Sequence, residues 1–96
     1  MLQEIGRLLE QNRLTVETAN EIAEDLSLEL ASLRNSGLIS NDAFLEAGVV
    51  QGGISVLGNM LGTSIGHSEI MVHFTQIRDR AATISTNYPE LSEVLS

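Results

Sequence analysis

Apolar residues recur at alternating steps of three and four along most of the chain, and no segment shows the two-residue alternation of a strand. Val16, Ala19, Ala23, Leu26, Leu30 and Leu33 make the longest run, a heptad seam of nearly three repeats. Ile70, Phe74, Ile77, Ala81 and Ile84 repeat the pattern further along. Each seam is one stripe of a helix, and it must be covered by another helix. The expected fold is all-α: a small four-helix bundle with a short C-terminal helical turn, one domain over residues 1–96. Two such seams exceed what so small a monomer needs, which favours a homo-oligomer or a tight complex.

Local signals place the boundaries. Leu2, Ile5, Leu8 and Leu9 predict a short first helix that ends near Gln11-Asn12-Arg13. Thr15 is placed to cap the second helix, with Glu17 in its first turn. Gly37 suits the left-handed position after that helix, with Leu38 supplying the apolar contact that usually follows. Ser40 or Asn41 then caps a third helix. A break is expected near Gly66-His67-Ser68, where Ser68 is a good cap. The fourth helix stops at Asn87-Tyr88, because the residue before Pro89 avoids helical angles. Pro89 can open a last turn carrying Leu91, Val94 and Leu95.

Composition excludes whole classes of chemistry. The chain has no cysteine and no lysine, which removes thiol catalysis, cysteine-ligated zinc, Schiff bases and the lysine of a phosphate loop. Its net charge of −8 opposes direct binding to nucleic acid or to anionic lipid. Phe44, Phe74 and Tyr88 are its three aromatics, too few to form a stacking platform. The first ten residues lack a basic head followed by an apolar run, so the expected location is cytoplasmic, with non-classical export left open.

Gly58, Gly62 and Gly66 stand four apart in "GNMLGTSIG", inside a 22-residue stretch between Glu46 and Glu69 that holds no charged residue. That length can span a bilayer. Seven polar residues within it and acidic rather than basic flanks make a membrane span the weaker reading. Drawn as one helix, the stretch places Gly48, Gly52, Ser55, Asn59, Gly62 and Gly66 on one face, with Gly58 at its edge. Val49, Val50, Ile54, Val56, Leu57, Met60, Leu61 and Ile65 fall on the other, with Gly53 and Ser64 misplaced among them. Small residues let backbones approach closely, so the glycine face is expected to pack against a helix of this chain or of another copy. The alternative is a helix broken at Gly52-Gly53.

Glu17, Glu21, Asp25 and Glu29 follow one another at four-residue steps, opposite the seam of the second helix. Like charges at that spacing repel. Arg7 and Arg13, or Arg78 and Arg80, can offset the repulsion, as can a basic partner protein; a plain solvated face is the other reading.

No catalytic or metal constellation emerges. His67 and His73 are six apart and point to different sides of a helix. Glu69 and His73 stand one turn apart, which suits a surface pair better than a metal site. The segment "EDLSLEL" resembles the modified segment of acyl carrier proteins in acidity, but that family's serine directly follows aspartate. Here Leu26 separates Asp25 from Ser27. The chain is therefore expected to be a non-enzymatic protein-interaction module without cofactor, such as an adaptor, inhibitor, immunity factor or secretion chaperone. Its expected contact groups are the acidic stripe and the glycine face. A self-assembling exported or pore-type subunit is the alternative, since the chain resembles small helical substrates of bacterial secretion systems in size and helical character. A third class is ligand binding at an oligomer interface, with Asn59, Thr63, His67 and arginines converging.

Overall fold

The computed structural model covers residues 1–96 and contains four principal helices and a short C-terminal segment. They are α1 (Leu2–Glu10), α2 (Val16–Asn35), α3 (Asn41–Leu61) and α4 (His67–Asn87), then a 3-10 turn (Pro89–Leu91) and α5 (Ser92–Leu95). No strand is present. The bundle is elongated, 41 × 23 × 17 Å.

The helix ends follow capping chemistry. Thr15 Oγ1 accepts from the Thr18 amide at 3.1 Å, and Ser40 Oγ accepts from the Ala43 amide at 3.0 Å. Each hydroxyl satisfies an amide that has no partner within its helix. At the end of α2, Gly37 is left-handed with φ 74°. The Leu38 amide donates to the Leu33 carbonyl at 2.9 Å, and that of Gly37 to Arg34 at 3.0 Å, which is a Schellman motif. Asn12, with φ 53°, closes α1 in the same manner: the Arg13 amide donates to Leu8 at 2.8 Å. The sequence reading gave this role to glycine alone and passed over Asn12, although asparagine also tolerates the left-handed region.

Two capping expectations are corrected. Leu38 is not part of the buried core and remains 66 % exposed; Ile39, one residue later, is buried instead. Ser68 does not cap α4 but lies inside it, and Gly66 takes the cap position without any side-chain bond. The break between α3 and α4 also begins earlier than expected, after Leu61. There the Thr63 hydroxyl donates to the Met60 carbonyl at 2.8 Å and draws the chain out of the helix.

α3 is the central element, running antiparallel to α2 on one side and to α4 on the other. Gly58 lies against Ala19 and Asn20 near the start of α2, while the Arg34 guanidinium stacks 4.1 Å from the Phe44 ring at the far end. Against α4, Gly53 meets Ile77 and Glu46 pairs with Arg80 at 3.8 Å. α1 and the C-terminal segment close the side between α2 and α4. Gly6 of α1 lies on the Phe74 ring, and the Gln3 amide donates to the Ser96 carbonyl at 3.1 Å. The seams named in the sequence provide much of the core, with Ile5, Leu30, Ile54, Leu57 and Leu91 among its most deeply buried side chains. No polar or charged residue is buried.

Candidate interaction surface

The inward stripe of α3 consists of Ala43, Ala47, Val50, Ile54, Leu57 and Gly58. It is narrower than the apolar arc drawn from the sequence and turned toward small residues. Gly58 of α3 lies against Ala19 of α2, so the two backbones come close at that end of the pair. Leu61 packs against the core edge, and the other three branched residues of α3 turn outward. Leu45 is 60 % exposed, Val49 48 % and Val56 46 %. With Gly52 they occupy an arc of about 60° on the helix. The column runs about 16 Å from Leu45 to Val56. Only 28 % of the most apolar 18-residue stretch of α3 is buried.

The glycine-face residues fall into three groups. Gly58 is in close internal packing: a Cβ there would sit 2.9 Å from Asn20 Oδ1 and 3.4 Å from Ala19 Cβ. Gly62 ends α3 and would meet Val16 Cγ2 at an ordinary 3.5 Å. A Cβ at Gly48, Gly52 or Gly66 would meet nothing within 4 Å, and Asn59 is exposed. Ser55 is half-buried, its hydroxyl 3.5 Å from Gln51 Nε2. Because α3 stops at Leu61, the helical wheel does not extend to Gly62 and Gly66. α3 is unbroken at Gly52-Gly53. An equally tight internal approach occurs at Gly53, the misfit of the sequence pattern: a Cβ there would lie 2.9 Å from Ile77 Cγ1. That misfit was the available signal, a glycine where an apolar side chain fits the pattern.

Glu17, Glu21, Asp25 and Glu29 are all exposed on α2, and no arginine pairs with any of them. Arg7 stands 4.0 Å from Glu4, and Arg80 is on Glu46. The like-charge stripe is thus not offset by an ion pair within the chain. Leu28, 63 % exposed, emerges among these acids.

His73 does not pair with Glu69. Its Nε2 is 3.0 Å from the Gly53 carbonyl and, as the N–H tautomer, donates to it, tying α4 to α3 beside the Gly53–Ile77 contact. Asn59, Thr63 and His67 are not joined by the arginines. Arg7 and Arg78 line a groove between α1 and α4, and Arg34 lies on Phe44. Compared with known proteins, the chain matches no family model, no curated relative and no solved structure.

Proposed function

We propose that this protein is a non-catalytic protein-interaction module whose contact surface is the outward face of α3. The observation that carries this reading is the column of Leu45, Val49 and Val56 beside Gly48 and Gly52, apolar and uncharged, on the central helix. Exposed apolar columns of this kind mark association surfaces, and the glycines permit a partner helix to approach closely. The unpaired acids of α2 add a preference for partners of basic charge. A second copy of the chain is the simplest partner for the α3 face.

Light scattering coupled to size exclusion, at low and high salt, tests this directly. The expected result is an oligomer that survives high salt and dissociates in Val49→Asp, with the melting temperature of the isolated chain unchanged. A photocrosslinking residue at position 49, compared with one at Glu90, then identifies a different partner if the chain is monomeric. Equal crosslinking at both positions would sink the proposal.

A second reading, assembly in a membrane, rests on the same helix, which is 21 residues long and apolar enough to span one. Flotation with liposomes distinguishes the two, since a protein-docking surface leaves the chain in the aqueous fraction.

A further inference from the structure

A groove of about 560 Å³ runs between α1, α4 and α5, on a different side of the bundle from the outward face of α3. That volume is within the range of roughly 300–1,000 Å³ typical of small-ligand sites. Leu2 and Phe74, both buried, close its floor, and the half-buried Met71 and the exposed Ala82 give it apolar surface. Gly6 lies in the floor as well, its missing Cβ 3.1 Å from Phe74 Cζ, so the α1 backbone is pressed onto the aromatic ring and nothing from that position fills the groove.

Two of the chain's five basic residues, Arg7 and Arg78, line this one groove. In a chain of net charge −8, that gathers two-fifths of the arginines in one place. Arg78 makes no ion pair, and its guanidinium lies 5.8 Å from the centre of the Phe74 ring. Arg7 has only a long 4.0 Å contact, with Glu4 on the exposed surface. Glu10 also lines the groove and opposes an anion, but the two guanidiniums outnumber it.

We propose that this groove binds a single-tailed amphipathic anion, with the tail along Gly6, Met71 and Ala82 and the oxyanion between Arg7 and Arg78. A guanidinium presents paired donors to a carboxylate, and an apolar floor beside it selects an aliphatic tail over a hydrophilic acid. The proposal is independent of the α3 reading, because the two surfaces share no residue.

The test uses the full chain and decanoate, below its micelle-forming concentration, followed by titration of amide NMR shifts and by calorimetry. The expected result is saturable binding that perturbs Gly6, Arg7, Phe74 and Arg78. Affinity should rise from hexanoate to decanoate, by up to roughly fourfold for each methylene fully buried. Arg7→Gln with Arg78→Gln should weaken decanoate binding at least tenfold. Both side chains are exposed, so the double variant folds, and its unchanged melting curve verifies that. Decanol should bind at least tenfold more weakly than decanoate to the native chain, and decyltrimethylammonium weaker still. Decanol binding as tightly as decanoate would overturn the proposal. So would shifts that fail to saturate or spread over the whole surface, or binding undiminished in the double variant. Val49→Asp should leave decanoate binding unchanged, which separates this result from any failure of the α3 reading.

Discussion

Gly53 and Ile77 touch where α3 crosses α4: a Cβ added to Gly53 would stand 2.9 Å from Ile77 Cγ1. Ile77 is buried and branched close to its backbone, so it cannot swing clear as a long side chain would. At Gly52, next to Gly53, an added Cβ would meet nothing within 4 Å. The same substitution at these adjacent positions should therefore act in opposite directions. Gly52→Ala should stabilise the chain by about 0.5–1 kcal/mol through helix propensity. Gly53→Ala gains the same propensity but overpacks, at a cost of about 1–3 kcal/mol, and should destabilise on balance. Urea denaturation of the two variants measures both signs.

A second adjacent pair tests the rotation of α3. Leu57 is fully buried, whereas Val56 is 46 % exposed. Leu57→Ala should lose about 2–5 kcal/mol from transfer and cavity terms. Val56→Ala should stay within about 0.5 kcal/mol, as surface changes do. Equal losses in thermal unfolding would mean that α3 is turned differently.

Gly37 holds φ 74° at the Schellman end of α2, where nothing crowds its missing Cβ. Only backbone strain then opposes a side chain. Gly37→Ala should cost about 1–2 kcal/mol. Gly37→Asn should cost less, because asparagine already occupies the equivalent position at Asn12. Denaturation midpoints of the two variants decide this.

The acidic stripe gives an electrostatic prediction. No arginine pairs with Glu21, Asp25 or Glu29. Asp25→Arg removes two repulsive four-residue pairs and creates two attractive ones. Each pair changes sign, at about 0.2–0.5 kcal/mol per interaction, so the variant should gain on the order of 1 kcal/mol at low salt. The gain should shrink as salt is added, since these side chains are exposed. Stability measured across a salt series tests both statements.

Much of the fold was legible because helix formation is local. The three-and-four spacing of Val16 to Leu33 and of Ile70 to Ile84 marked two helices, and both seams turn inward. Val16 and Leu33, at the ends of the first seam, are only partly buried. Thr15 and Ser40 act as caps because a side-chain oxygen reaches an amide three residues on, whatever the rest of the chain does. Pro89 stops α4 through its effect on the preceding residue.

The candidate site was less legible, for a reason visible in α3. Nearly every position from Ala47 to Leu61 is small or apolar, so periodicity alone did not select which side faces inward. That choice was made by the neighbours: Ala19 of α2 accepts a close approach at Gly58, and Ile77 of α4 needs the space above Gly53. Once those contacts orient α3, Leu45, Val49 and Val56 have to face outward. The sequence by itself determined where the helices lie, where α1, α2 and α4 stop and that no strand forms, because caps, breakers and spacing act within a few residues. Only the tertiary structure decided which glycines are pressed against a neighbour and which apolar residues lie on the surface, because those contacts join residues twenty or more apart in the chain.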